Sequence, residues 1–400
     1  LEAPQLTEIG DYSFSNCNNL ERISCDKLLT IGNHCFEECS NLKEINLPNV
    51  QNINDSSFKN CKNLEKIICS NCELLGNLVF ENCQKLNEIQ FNNLKEIGDQ
   101  TFLNCNKLVI VSLPSLTKIG SSVFSKCNSI TTINLSSIKS INTNFLENIN
   151  SQHHISLYID SLETLPEPNY FNLLEFETLS LNSIERISKF ENSLIHSISI
   201  HNVLIIENST FYNCTKLTKI ECQKVTEIGN CSFYNCHALE ELHLNSLKKI
   251  IGQMNFFGCS SLKLIEMPNL ETVDEHYSDY FDGCSSLKEI SLGDKPPNKF
   301  GSQTNFSQIK INLPSKKSWD NYASQCTQTF VGENIWYGYK TKTYNTKKLS
   351  IFLVITVGIP IFIVILILVI CLCIRSKRKK NSFEAKTTTT DSLLATPVLI

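Results

Sequence analysis

Cysteine is the residue of this sequence with the widest chemical scope, and the chain has 19 cysteines among 400 residues. Thiols can form disulfides, bind metal ions or act as nucleophiles, and their spacing indicates which of these applies. Ten of them share one position, three residues after a phenylalanine: Cys17, Cys39, Cys61, Cys83, Cys105, Cys127, Cys214, Cys236, Cys259 and Cys284. A position filled so regularly predicts a buried column of small side chains, to which free cysteine is well suited.

Geometry disfavours disulfide bonds along this column. Side chains at the same position of stacked units point in parallel, which leaves their Cβ atoms almost a full rung apart, beyond the roughly 3.5–4.5 Å that a disulfide needs. The pair Cys69 and Cys72 forms a C-x-x-C motif, which is typical of redox and zinc sites. These two cysteines align with the core positions Leu47 and Val50 of the preceding unit, however. We therefore predict free thiols that fill the core.

Other motifs that carry chemistry are absent from the sequence. It contains no nucleophile elbow, phosphate-binding loop, H-E-x-x-H or G-x-G-x-x-G motif. Of the eight histidines only His153 and His154 are adjacent, and neighbours on a strand point to opposite faces. The net charge is −4 without a basic stripe, which argues against nucleic-acid binding. The sequence predicts a protein that is not an enzyme and that carries no cofactor or metal.

The cysteines are positioned by a repeat with a period of 22 residues. Each unit has the pattern L-x-x-I-x-L, then a turn, then I-G-x-x-x-F-x-x-C. A fixed period in this range indicates a chain of stacked structural units. The first six phenylalanines of the repeat are Phe14, Phe36, Phe58, Phe80, Phe102 and Phe124.

The first half of the unit predicts a short, half-buried strand, because its last apolar residues alternate with polar ones. The I-G-x-x-x-F segment is too short for an α-helix, and we interpret it as a tight turn or 3₁₀ piece that places the ring in the interior. Stacked units bury a core that one unit cannot close alone, and their strands pair in parallel. Residues 1–326 are therefore predicted to form a leucine-rich solenoid of the α/β type, with a parallel β-sheet and short turn or 3₁₀ segments.

Residues 145–206 depart from this pattern. The phenylalanine spacing becomes 21, 26 and 19 residues, the cysteine column lapses, and Pro166 and Pro168 enter the chain. Two interpretations stay open: a bend or insertion that forms a contact site, and sequence drift within an interior repeat.

Strand residues on either side of the central isoleucine are expected to point outward, away from the core. Towards the C-terminal end of the solenoid most of these outward residues are acidic. Six of them are candidate protein-binding residues: Lys219, Glu221, Glu241, His243, Glu266 and Glu289. They form either a binding patch for a basic partner or simply the polar face of a soluble sheet.

The last part of the chain predicts a membrane anchor. A final strand-and-proline signal indicates a capping unit over about 305–326, and residues 327–348 have the polar composition of a stalk. Residues 349–374 contain no charged side chain, and about 20 apolar residues suffice to cross a bilayer. Basic residues follow at once, which places the tail 375–400 in the cytoplasm and the repeats outside the cell.

The chain begins within a repeat, because Pro4 and Leu6 align with Pro48 and Val50 of a complete unit. We expect the sequence to be incomplete at this end. Removal of an N-terminal segment by processing is the alternative.

The repeat unit resembles the BspA-like class of leucine-rich repeats. Residues 41–50 (N-L-K-E-I-N-L-P-N-V) and 94–105 (L-K-E-I-G-D-Q-T-F-L-N-C) carry the resemblance, which extends over about four fifths of the chain. It implies a leucine-rich repeat fold and a place among bacterial and anaerobic-protist surface proteins, which are often linked to adhesion to host cells or matrix proteins. The composition rich in Asn, Lys and Ile and the single predicted span resemble the protist members.

The sequence thus favours a single-pass type I protein of the plasma membrane. Its extracellular repeats are expected to act as an adhesin that binds host or matrix macromolecules, either a protein or a glycan. The alternative hypothesis is a surface receptor that signals through adaptors bound to its short cytoplasmic tail. The tail, residues 375–400, has only 26 residues and no room for an enzymatic domain.

Overall fold

The computed structural model describes residues 2–141, 144–150, 154–166, 171, 174–274, 280–293 and 309–312. Within these ranges the chain forms 24 short β-strands and no α-helix. Every strand pair is parallel. The predicted solenoid of stacked parallel strands is confirmed. Its assignment to the α/β type is wrong for the described residues, because the segments between strands are turns that contain residues of positive φ, such as His34 and Glu38, rather than helices.

The predicted strand of each unit forms what we call the main ladder. Its members are β3 (Glu44–Asn46), β5 (Lys66–Ile68), β7 (Glu88–Gln90), β9 (Ile110–Ser112), β11 (Thr132–Asn134), β12 (Ile155–Tyr158), β13 (Phe176–Ser180), β15 (Ser197–Ser199), β17 (Lys219–Glu221), β19 (Glu241–His243), β21 (Leu264–Met267), β23 (Glu289–Leu292) and β24 (Lys310–Asn312). They form three sheets in the orders β3-β5-β7, β9-β11-β12-β13-β15-β17 and β19-β21-β23-β24. The ladder is therefore interrupted between β7 and β9 and between β17 and β19.

A second parallel ladder, which we call the short ladder, was not predicted. Its strands have two residues each and are β1 (Glu8–Ile9), β2 (Thr30–Ile31), β4 (Asn52–Ile53), β6 (Leu74–Leu75), β8 (Glu96–Ile97), β10 (Lys118–Ile119), β14 (Arg186–Ile187), β16 (Ile205–Ile206), β18 (Glu227–Ile228), β20 (Lys249–Ile250) and β22 (Thr272–Val273). They lie in the I-G segment that the sequence interpretation treated as a turn. Two residues are too few for an alternating pattern to be visible.

The core between the ladders is a stack of the repeated phenylalanines. Neighbouring rings lie 5.2–5.9 Å apart, centroid to centroid, and most pairs are close to parallel. The backbone at these phenylalanines is also bonded to the next rung. The N–H of Phe58 donates to the carbonyl of Val79 at 2.9 Å, and the N–H of Phe80 donates to the carbonyl of Thr101 at 2.8 Å. Turns as well as strands are thus hydrogen-bonded from rung to rung.

A ladder of Asp and Asn side chains fixes the edge of each turn. Oδ1 of Asp55 accepts the backbone N–H of Asn77 at 2.7 Å, and Oδ1 of Asn77 accepts that of Asp99 at 2.8 Å. The same bond joins Asp99 to Ser121 at 2.7 Å. A glycine (Gly76, Gly98 or Gly120) precedes each residue whose N–H is accepted and leaves room for the approach. A Cβ on Gly98 would lie 2.6 Å from both Asn77 Oδ1 and the carbonyl carbon of Gly76.

The predicted stalk, membrane span and tail (327–348, 349–374 and 375–400), as well as most of the predicted cap, lie outside the described residues. Residues 310–312, at the start of the predicted cap strand, form β24 and pair with β23. Among the described residues, no helix has the length and apolar character needed to span a membrane.

Replacing Gly98 by alanine should lower the free energy of unfolding by about 1–3 kcal/mol, because the added methyl overlaps backbone that cannot swing aside. Gly10→Ala is the matched control, since the nearest atom to its Cβ would be Ser13 Oγ at 3.7 Å. Thermal or urea unfolding of the full chain, followed by circular dichroism, measures both. Equal stability of the two variants would contradict the close rung-to-rung approach at this position.

Candidate binding surface

The outward side of the main ladder presents side chains at regular positions from strand to strand. On β19 the side chains of Glu241 and His243 are exposed and Leu242 between them is buried. On β3 the same alternation holds for Glu44, Ile45 and Asn46. The predicted outward direction of residues flanking the central apolar position is therefore confirmed for these strands.

Charges near the start of the main ladder compensate each other between rungs. Arg22 pairs with Glu44 at 3.6 Å, and Lys66 pairs with Glu88 at 2.5 Å. Because successive rungs carry opposite charges at one position, this part of the surface has little net charge.

The six candidate binding residues lie on four main strands near the other end, with Lys219 and Glu221 on β17. Lys219 Nζ lies 2.5 Å from Glu221 Oε1, and His201 Nε2 lies 3.5 Å from Glu221 Oε2. The hydrogen bond from Lys219 holds the pKa of the Glu221 carboxyl below its ordinary value, against the opposing effect of partial burial. Glu221 therefore stays ionised but is partly compensated.

The next two strands share one histidine between two carboxylates. His243 Nδ1 lies 2.8 Å from Glu266 Oε2 on β21, and His243 Nε2 lies 3.6 Å from Glu241 Oε2 on the same strand as the histidine. Glu289 follows on β23, in register with Leu264 of β21. The six residues thus carry four carboxylates against one ammonium and one imidazole, so the surface is acidic but internally paired.

A shallow depression opens where the main ladder is interrupted between β17 and β19. It is lined by residues of both strands and of the chain directly before and after them, namely Thr218, Lys219, Ile220, Glu221, Cys222, Gln223, Glu240, Glu241, His243 and Asn245. Burial raises the pKa of the Cys222 thiol to about 12, which leaves it protonated and a poor nucleophile at neutral pH. The depression thus combines charged side chains with apolar surface.

The column cysteines have structural partners. Nine of the ten are buried, and in each of these nine the Sγ–H donates to the carbonyl of the phenylalanine one rung back, at 2.9–3.2 Å. Burial raises the pKa of Cys39 to about 11 and that of Cys214 to about 12. Cys69 and Cys72 are also fully buried, as the interpretation of this C-x-x-C pair as core filling requires.

Cys17 corrects the prediction of a uniformly buried column. It is exposed in the structure, and the rung on which it lies is the first that the structure describes.

A group of side chains that the sequence interpretation missed lies in the irregular residues 145–206 and beside them. We call it the histidine cluster: His154, Glu175, Glu177, His196 and Lys216. His154 Nε2 lies 3.1 Å and His196 Nε2 3.6 Å from Glu175 Oε1, and the Lys216 ammonium is hydrogen-bonded to the same oxygen. That hydrogen bond, together with the two histidines, lowers the pKa of Glu175.

The sequence spacing of the cluster residues could have predicted this cluster. His154, Glu175 and His196 follow one another at intervals of 21 residues, close to the repeat period, and each directly precedes a main strand. The sequence interpretation considered only the adjacent pair His153 and His154, of which His153 lies outside the described residues.

A family comparison decides the class of this repeat. The model for the BspA type leucine-rich repeat region matches residues 2–87, 75–192 and 186–312. The chain belongs to the BspA-type leucine-rich repeat family. The resemblance noted in the sequence is therefore confirmed, and the repeat, rather than a catalytic or nucleic-acid-binding fold, occupies most of the chain.

Several solved structures are similar to this leucine-rich repeat protein. A leucine-rich cell surface protein of Faecalibacterium prausnitzii is 21% identical, with 79% of each chain covered and a TM-score of 0.32. A leucine-rich repeat protein of Bacteroides ovatus is 21% identical over 78% of this chain and 88% of its own, with a TM-score of 0.34. The pneumococcal vaccine antigen PcpA is 19% identical over 84% and 85%, also with a TM-score of 0.34. No curated protein sequence matches this one significantly.

The rate of alkylation should differ between exposed and buried cysteines of this leucine-rich repeat protein. In the native full chain we expect iodoacetamide to modify Cys17 at least about 100-fold faster than Cys39. Cys39 is buried, so the reagent reaches it poorly. Its pKa of about 11 also leaves about 100-fold less of the reactive thiolate at neutral pH than an ordinary thiol has. Peptide mass spectrometry after timed quenching measures the rates, and the urea-unfolded chain is the control, in which they should converge.

Two results would contradict this description of the column. One is equal modification rates of Cys17 and Cys39 in the native chain. The other is a Cys61–Cys83 disulfide in peptides prepared without reductant.

Proposed function

We propose that this protein is a membrane-anchored adhesin that binds a host or matrix macromolecule through the outward side of its main ladder. The observation that carries the proposal is the succession of charged side chains over the strands from β17 to β23, next to the depression at the interruption of the ladder. Stacked repeats present side chains in a regular grid, which suits the recognition of a large partner.

The chemistry of this surface favours a partner with exposed basic groups. Glu241 has 59% of its side chain exposed, whereas Glu266, which is bonded to His243, has 27%. Carboxylates of this kind attract cationic groups, speed association and exclude acidic partners. The partner is therefore a protein with a basic surface or a glycan with cationic groups.

The proposed location is the plasma membrane, with the repeats outside the cell and residues 375–400 in the cytoplasm. The 26 uncharged residues 349–374 and the basic residues that follow them support this arrangement. A short tail is sufficient for an adhesin, which needs anchorage but no enzymatic domain.

Charge reversal tests the proposed surface. Cells that display the full chain with Glu241, Glu266 and Glu289 all changed to lysine should adhere to host cells or matrix proteins about tenfold less than cells with the unchanged chain, because the basic partner is then repelled. Glu8, Glu73 and Glu96, all changed to lysine, form the matched control. That variant alters the net charge equally but lies on the short ladder and its neighbouring turn.

Unchanged adhesion of the main-ladder variant, at equal surface expression, would dismiss the patch. Deletion of residues 381–400 then distinguishes the adhesin from the alternative receptor. An adhesin keeps its adhesion without these residues and needs no intracellular response, whereas a receptor loses its signal when they are removed.

A further inference from the structure

The histidine cluster brings three metal-binding side chains together from three neighbouring rungs. His154, Glu175 and His196 directly precede β12, β13 and β15, which are adjacent in one sheet. One ligand atom of each, Nε2 or a carboxylate oxygen, lies within 4.8 Å of the other two. In the part of the chain that the structure describes, this is the one group of at least three such side chains with this geometry.

The irregular sheet produces this convergence. The register between β12 and β13 shifts between Ile155 and Ser156, which pair with Phe176 and Thr178, so Glu177 is an additional residue in β13. The two imidazoles come from rungs on either side of Glu175, yet their rings stack at 4.5 Å with an interplanar angle of 19°. Both rings therefore lean over the middle rung, where the carboxylate of Glu175 lies.

The outer nitrogens of both histidines are held by groups that can only accept a hydrogen bond. His154 Nδ1 lies 3.2 Å from Glu177 Oε2, and His196 Nδ1 lies 3.3 Å from the carbonyl oxygen of Phe176. In the neutral imidazole, which is the form that binds a metal ion, these contacts place the proton on Nδ1 and leave the Nε2 lone pair for the shared centre. Carboxylates and backbone carbonyls orient metal-binding histidines in the same way.

We propose that His154, Glu175 and His196 form a binding site for a divalent transition-metal ion, with Zn²⁺ as the preferred ion. Zinc bonds of about 2.0–2.2 Å in a tetrahedral site place ligand atoms about 3.3–3.5 Å apart. The measured separations of 3.1 and 3.6 Å between each Nε2 and Glu175 Oε1 bracket that value. Two histidines and one glutamate supply three of the four ligands, and a water molecule would complete the tetrahedron.

Lys216 is the competitor for this site. Its ammonium is bonded to the same oxygen of Glu175 that faces both histidines, and an ammonium and a metal ion cannot share that place. The Lys216 side chain is 42% exposed, so it can move into solvent when the metal binds. Removal of the Lys216 ammonium is therefore predicted to strengthen metal binding.

Isothermal titration of the purified full chain with Zn²⁺ tests the proposal. The unchanged protein should bind one equivalent at this site, and His154→Ala or His196→Ala should raise the Kd at least about 100-fold. Glu177→Gln should raise it about tenfold through the orientation of His154. Lys216→Gln should lower it about fivefold, the value of a typical exposed ion pair.

His243→Ala is the matched control, because His243 also contacts two carboxylates, Glu241 and Glu266, but has no second histidine beside it. It should leave the Kd unchanged. A parallel titration with Co²⁺ checks the ligand type, since a site of histidine and glutamate lacks the intense thiolate-to-cobalt absorption that cysteine ligands give.

Three results would overturn the proposal. They are zinc binding that survives His154→Ala and His196→Ala together, a thiolate signal in the Co²⁺ spectrum, and unchanged or weaker binding in Lys216→Gln. The last variant keeps all three ligands and changes only an exposed side chain, so it tests the site even if the histidine variants fail to fold.

Discussion

The backbone hydrogen bonds between corresponding segments of successive rungs are the constraint on which the rest of this structure depends. They join the two ladders and also the turns between them, as the bonds from Phe58 to Val79 and from Phe80 to Thr101 illustrate. In such a register each side chain lies on its counterpart in the next unit. Phenylalanines therefore stack on phenylalanines, and thiols lie above thiols. Glycine leaves room at turns where an Asp or Asn side chain of the preceding rung approaches the backbone, as at Gly76, Gly98 and Gly120.

This constraint separates the interior chemistry of the protein from its surface chemistry. Buried thiols donate to carbonyls, and burial raises the pKa of thiols such as Cys39 and Cys214, so a chain rich in cysteine has few reactive thiols among its described residues. On the outward side of the main ladder the residue type varies from rung to rung, and neighbouring rungs carry charged side chains such as Glu241 and Glu266. Where the register itself changes, at the bulge beside Glu177, side chains from different rungs converge, and this is where the histidine cluster lies.

The sequence was sufficient to predict the features that repeat. The period predicted the parallel stacking, and the alternation around residues such as Leu242 predicted which side chains face outward. The short ladder was missed because a two-residue strand such as Ile31 and its neighbour has no periodicity of its own. The exposure of Cys17 was not predicted, because the other nine cysteines at the same position of the unit are buried.

The surface chemistry was less predictable for a different physical reason. The acidity of the surface from Lys219 to Glu289 follows from composition, but its internal pairing depends on which rotamers bring Lys219 to Glu221 and His243 to Glu266. The histidine cluster depends on a register shift that no local pattern specifies. Its spacing of 21 residues is visible in the sequence, but only the irregular pairing of β12 and β13 turns that spacing into contact.

Binding of the full chain, displayed on cells, to a panel of host cells and purified matrix proteins is the most direct test of the central claim that the repeats recognise a macromolecule. We predict saturable binding to at least one member of the panel. That binding should weaken as ionic strength rises, because salt screens exposed carboxylates. No saturable binding to any member, by a chain shown to be folded at the cell surface, would contradict the claim.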